Sequence, residues 1–211
     1  MAQQTITALF DDYDAASAAV AKLESTGIPH GDISVVSNNE KDRHAGRVGV
    51  GNHAGTADKA EKAAGTGASL GTVLGGGAGL LAGLGLLAIP GVGPVVAAGW
   101  LVATLTGAGI GAAAGGLVGG LTGAGLNEAD AHTYSEGVRR GGTLVTVRAD
   151  EAHAVAAMNI LEEHGSIDVD ERSKGWQSEG WTAPTATATE TPAAGLADGR
   201  TRVRAYPTTS V

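Results

Sequence analysis

From Ala63 to Asn127 the chain carries no Asp, Glu, Lys, Arg or His, while charged residues crowd both flanks. Within that apolar stretch Gly67, Gly71, Gly75, Gly79 and Gly83 step by four. Beyond Pro90-Gly91-Val92-Gly93-Pro94 the step resumes at Gly99, Ala103, Gly107, Gly111, Gly115, Gly119 and Gly123. A four-residue step lays a bare ridge along one side of a helix, so the pattern predicts two helical arms meeting along a Gly-lined seam, a glycine-zipper hairpin. The arms match in register when the chain folds back at the Pro-Gly turn. Ala68 to Ile89 would reach about 33 Å as a helix, enough to cross a hydrocarbon core of about 30 Å. The second arm, Pro94 to Leu126, is too long for one upright span and is expected to bend or end near Thr106 to Gly109. Each interior Gly costs a helix roughly 1 kcal/mol relative to Ala in water, so either a bilayer or a tightly packed partner has to compensate. A flexible linker would be richer in Ser and lack this Leu, Val and Ile content.

Outside the stretch the periodicity changes. Thr5 to Phe10 reads as a strand, and Asp11 and Asp12 as N-cap candidates. Ala16, Ala19, Val20 and Leu23 mark one helical face, Gly27 and Pro29 stop that helix, and Asp32 to Ser37 reads as a second strand. The same unit returns later as the strand Thr143 to Arg148, the cap Asp150, the face Ala154, Ala157, Met158 and Leu161, the stop Gly165 and a closing strand Ile167 to Glu171. Superposing Leu23-Glu24 on Leu161-Glu162 also brings Asp12 onto Asp150 and Gly27 onto Gly165, the signature of an internal duplication. Two β-α-β halves suggest an α+β, ferredoxin-like arrangement into which the zipper hairpin is inserted. Each half alone is too small to bury a core, so the halves are expected to pair.

The expected organisation is therefore a first half (4–37), a flexible linker (38–62), the zipper hairpin (63–127), a polar helix with the second half (128–172), and a disordered tail (173–211). The tail is rich in Thr, Ala, Pro and Gly. Trp176 and Trp181 within it are expected to be exposed, either free or as contacts for a partner.

Composition narrows the function. A net charge of -8 argues against nucleic acid as partner. With 0 Cys there is no thiol nucleophile, no disulfide and no Cys-based metal site, as suits a cytoplasmic setting. Met1 to Thr5 lacks the basic and apolar regions of a secretory signal. His30, His44, His53, His132, His153 and His164 fall in no metal-ligand spacing, and His153 is expected on an exposed first helical turn. Asp11, Asp12 and Asp14 are explained by capping and the helix dipole rather than by acid-base chemistry. Ser17, Ser34 and Ser135 lack the His and Asp context of a nucleophile. Gly109 to Ala114 fits G-x-G-x-x-A, but no strand precedes it and no suitably spaced acid follows. No catalytic residue, cofactor or metal is expected. Arg139-Arg140 is a candidate contact for an anionic lipid headgroup, or else an ion-pair partner of Glu128 and Asp130.

Residues 5 to 172 resemble the bacterial general stress protein family, whose N-terminal part is the heat-induced stress protein domain. The likeness is carried by Ala8-Leu9-Phe10-Asp11-Asp12 through Gly27-Ile28-Pro29, by Asp32-Ile33-Ser34-Val35-Val36, and by Ile89-Pro90-Gly91-Val92-Gly93-Pro94-Val95. It continues in Tyr134 to Val147 and in Glu163-His164-Gly165 through Ile167 to Arg172. The resemblance implies induction under stress and carries over no substrate or catalytic residue.

Two functions of different class fit these residues. The first is a stress-induced, non-catalytic protein that self-associates through the zipper, or inserts it into the inner membrane from the cytoplasmic side, with Trp100 at the interface. The second is a small-ligand sensor module built on the paired halves, with the hairpin serving to make an oligomer.

Overall fold

The computed structural model describes residues 3–38, 85–89, 93–101, 109–182 and 201–207. Strands β1 (Gln3–Phe10), β2 (Ile33–Asn38), β3 (Gly85–Ile89), β4 (Gly93–Gly99), β5 (Thr143–Asp150) and β6 (Val203–Pro207) form one 6-stranded sheet in the order β3-β4-β2-β5-β1-β6. Every neighbouring pair is antiparallel. The helices are α1 (Tyr13–Ser25), α2 (Gly109–Gly123), α3 (Glu128–Arg139), α4 (Glu151–Glu163) and α5 (Val169–Ser178). The class is mixed α and β.

Side-chain alternation along the strands gives the sheet two buried faces. Ile6, Ala8 and Phe10 of β1, Val145, Val147 and Ala149 of β5, and Val203 and Ala205 of β6 meet α1 and α4 on one face. Leu9, Val36, Leu144 and Tyr206 meet Leu117 and Leu121 of α2, Tyr134 and Val138 of α3, and Trp176 of α5 on the other. Tyr134, Tyr206, Phe10, Leu9, Leu117 and Leu144 are among the largest fully buried side chains. Burying each aliphatic one contributes roughly 1.5–3 kcal/mol.

The two predicted units are both present at their starts. Asp12 caps α1 by accepting from the Ala15 N–H at 2.8 Å, and Asp150 caps α4 by accepting from the His153 N–H at 3.0 Å. Gly27 and Gly165 end these helices at φ 96 and φ 85, a left-handed backbone that side chains with a Cβ resist. Ala16, Ala19, Val20 and Leu23 are buried, as are Ala154, Ala157 and Leu161. β1 and β5 pair at the centre of the sheet, from Gln3 opposite Asp150 to Phe10 opposite Thr143.

Three expectations are overturned. The residues flanking the Pro-Gly turn are not the facing ends of two helical arms: Gly85–Ile89 and Gly93–Gly99 are strands. β4 pairs with β2 from Val95 opposite Asn38 to Gly99 opposite Ser34, and β3 pairs with β4. A Gly-dense helix carries a propensity penalty at each turn, whereas strands laid on β2 satisfy their backbone at once. Pro94 sits opposite Ala88, ahead of the first residue that pairs with β2, where its missing N–H costs no bond to that strand. Gly67, Gly71, Gly75, Gly79, Gly83, Ala103 and Gly107 lie outside the described residues, as does the expected linker from 39 to 62, whose first residue, Asn38, instead ends β2.

The closing strand Ile167 to Glu171 is also replaced, because most of it opens α5. Asp168 caps that helix by accepting from the N–H groups of Asp170 and Glu171, each at 3.0 Å. Asp170 and Glu171 then sit in the first turn, where the helix dipole favours them. The place beside β1 is taken by β6, so the expected disorder of the tail fails for Ser173–Ser178 and for Val203–Pro207. Trp176 is buried and stands edge-on to Trp181, with ring centroids 5.8 Å apart.

Candidate functional site

Among the predicted seam residues, Gly111, Gly115, Gly119 and Gly123 belong to α2, whose backbone departs from helical geometry at Gly116 (φ 51, ψ -129). Leu117 and Leu121 are fully buried, while Gly119 is half-buried and Gly123 exposed. This part of α2 therefore meets the sheet through its leucines and turns its bare side away. Gly99, at φ 93, is a point of close approach between β4 and β2: a Cβ there would lie 2.1 Å from the Ile33 carbonyl oxygen.

Arg139 and Arg140 are both held by carboxylates, though not the predicted ones. Glu136 accepts from Arg139 Nε and Nη2 at 2.6 Å each and from Arg140 Nε at 2.5 Å, and Arg140 also reaches Glu179 and lies over the Trp176 ring. Burial works against the charge on Glu136, but hydrogen bonds from Arg139 and Arg140 outweigh it and hold its pKa below the ordinary carboxylate value. Glu128 meets His132, and Asp130 meets Arg204.

That second pair anchors a buried polar network. Arg204 of β6 bonds Asp130 of α3 and Asp170 of α5, the latter at 2.5 Å, and Tyr206 donates to Asp130 at 2.8 Å. Burial raises the pKa of Tyr206 and of Tyr134 beside it. Strand registers place Arg204, Thr7, Thr146, Ser34 and Gly99 in one row across the sheet. Ser34 donates to the Ala98 carbonyl at 2.8 Å, but the hydroxyls of Thr7 and Thr146 are buried without a hydrogen-bond partner. The network joins two helices and a strand and so holds β6 against α3 and α5.

The described residues also form an open groove of about 470 Å³ where α4 hands over to α5 and the chain enters β6. Gly165, Ser166, Asp168, Glu171 and Arg172 line it from one side, and Gly175 and Arg202 complete it. Ser166 is buried, and its hydroxyl has no partner. Ile167, beneath the groove, is fixed by its N–H donating to the Leu9 carbonyl at 2.8 Å. The Asp168 carboxylate is engaged: burial opposes its ionisation, but the Thr201 hydroxyl, the Glu171 and Asp170 N–H groups and Arg204 outweigh that and lower its pKa. Arg172 is engaged by Asp11 at 2.7 Å. Glu171 and Arg202 are exposed and form no ion pair among the described residues. Sequence reading missed the groove because it assigned Ile167 to Glu171 to a strand and Arg202 to disorder.

His30, His153 and His164 hydrogen-bond Glu24, Asp150 and the Ile160 carbonyl, and His132 lies 3.8 Å from the Glu128 carboxylate. His44 and His53 lie outside the described residues. No group of three or more metal-ligating side chains occurs among the described residues, and no helix among them is long and apolar enough to cross a membrane. No family model, curated protein or solved structure matches the chain.

Proposed function

We propose that this chain is a non-catalytic binding module that takes up a small polar ligand in the groove between α5 and the start of β6, and does so as part of a stress response. The observation that carries the reading is the groove itself, lined by an exposed guanidinium, Arg202, and an exposed carboxylate, Glu171, that form no ion pair among the described residues. Its volume lies within the roughly 300–1,000 Å³ typical of small-molecule sites. The resemblance of residues 5 to 172 to general stress proteins supports the physiological half of the proposal. The strand order β2-β5-β1-β6, with α1 and α4 packed on one face, supports a ferredoxin-like reading in which β6 serves as the fourth strand.

The test is ligand capture. The full chain is incubated with a small-molecule extract of stressed bacterial cells, separated by ultrafiltration, and compared with Gly175→Trp, which fills the groove from a position where a Cβ meets nothing within 4 Å. Retention of a compound by the parent chain and its loss in the variant supports the reading. Equal retention by both, or none, refutes it.

One observation favours self-association alongside binding. With Leu117 and Leu121 turned inward, Gly119 and Gly123 leave a bare strip on the outer side of α2, against which a second helix would pack closely. Cross-linking of the full chain with and without detergent, beside Gly123→Leu, tests this. An oligomer that Gly123→Leu leaves unchanged refutes the strip, and one that exists only without detergent separates protein contact from lipid contact.

A further inference from the structure

The groove's charges define the class of its ligand. Four charged side chains line it, and two already have partners: the Asp168 carboxylate accepts from the first N–H groups of α5 and from Thr201, and Arg172 pairs with Asp11. What remains without an ion pair among the described residues is one guanidinium, Arg202, and one carboxylate, Glu171. A simple anion would gain from Arg202 but face Glu171, and a simple cation would meet the reverse. A ligand bearing both charges a few atoms apart satisfies both residues at once. Gly165 and Gly175 widen the walls, since a Cβ at either would meet nothing within 4 Å, which leaves room for a small ligand substituent.

We infer that the groove binds a small zwitterion of the free amino-acid type, its carboxylate held by Arg202 and its ammonium group by Glu171. This rests on the binding-module reading above and specifies it. The guanidinium offers two parallel donors to a carboxylate, a fit an ammonium could not provide.

The experiment titrates the full, isotope-labelled chain with L-alanine, sodium acetate and methylammonium chloride, following backbone amide shifts at Gly165, Ser166 and Gly175. L-alanine is expected to move these signals saturably, with acetate and methylammonium each binding at least about tenfold more weakly. Arg202→Gln and Glu171→Gln are each expected to weaken L-alanine by about fivefold or more. Both residues are exposed, so the variants are expected to melt with the parent chain. Acetate or methylammonium binding as tightly as L-alanine overturns the zwitterion while leaving the binding module standing, as does capture from extract of a compound with no cationic group. No shift with L-alanine also overturns it, and the extract experiment then decides the broader reading on its own. Unchanged L-alanine affinity in both charge variants overturns the assignment of roles.

Discussion

Arg204→Met tests whether the buried network or the sheet ladder holds β6 in place. The Arg204 side chain is 6% exposed and its partner Asp130 15%. Removing the guanidinium leaves Asp130 largely desolvated, with Tyr206 and Asn127 as its remaining donors. Breaking a buried pair from one side typically costs about 3–5 kcal/mol. The bond to Asp170 adds little, because that carboxylate is 51% exposed and water replaces its partner. Tyr206 offsets part of the loss, so the expected cost is about 3 kcal/mol, the lower end of that range. For a chain of 211 residues this corresponds to a fall in Tm of roughly 6–12 °C.

Urea denaturation of the full chain measures it, with Asp170→Asn as the control expected to cost at most about 1 kcal/mol. A double-mutant cycle with Asp130→Asn is expected to give a coupling of at least about 1 kcal/mol, since the neutral amide no longer needs the guanidinium. Hydrogen exchange at Ala205, which lies opposite Ile6, reports whether β6 opens ahead of the rest of the sheet. A loss below about 1 kcal/mol with unchanged m, or additive single effects, would show that the ladder alone secures the strand and that the ion cluster is incidental.

Further outcomes follow from other positions. Gly99→Ala forces a Cβ to within 2.1 Å of the Ile33 carbonyl at a positive φ, and is expected to cost roughly 2–4 kcal/mol by denaturation, whereas Gly165→Ala, with open space around it, is expected to cost about 1 kcal/mol. Thr7→Val replaces a buried hydroxyl without a partner by a methyl group, so stability is expected to hold or to rise by about 1 kcal/mol; a fall of that size would point to a bound water in the row. Glu136 has a lowered pKa, so its contribution is fully present above the ordinary carboxylate pKa near 4.3 and is lost as pH falls through its lower folded value. Glu136→Gln is therefore expected to flatten the acid limb of a stability-against-pH profile below about pH 4, and an unchanged limb would refute the role of the two arginines.

Local signals carried the duplicated units. Asp12 and Asp150 followed by apolar residues at i, i+3 and i+4 contain the cap, the helix and its buried face in one short window, and Gly27 and Gly165 add the stop. Such information is contained in neighbouring residues, so it needs no knowledge of the rest of the fold. The Gly-rich stretch was harder because its residues favour no single local state. The four-residue step at Gly99 was read as a helix seam, yet Val95 to Gly99 has a ready partner in β2, and a ladder bond outweighs a weak helical preference. The groove was hidden for a related reason: it joins Ser166 to Arg202, and nothing near either residue announces the other. One signal was available. Val203-Arg204-Ala205-Tyr206 alternates as a half-buried strand does, and weighing that pattern above the surrounding Thr, Ala and Pro would have kept β6 out of the disordered tail.

The duplication also explains why the groove lies where it does. In the first unit the chain leaves α1 at Gly27 and returns within a few residues, through Pro29 and a single 3-10 turn at His30–Asp32, to β2 beside β5. In the second unit the chain leaves α4 at Gly165 in the same left-handed turn, but Asp168 diverts it into α5, and the strand position beside β1 is filled only by residues 203–207. Two segments therefore do the work that one segment does in the first unit, and the groove lies where they meet. Ser166, on the departing segment, and Arg202, on the arriving one, both border the groove. Shifting the chain so that β6 is displaced should therefore remove the groove together with the strand, which ties ligand affinity to the integrity of the Arg204 network: Arg204→Met should weaken L-alanine binding as well as stability, whereas Thr7→Val should affect neither adversely. Binding that survives exchange-detected opening of β6 would refute that link.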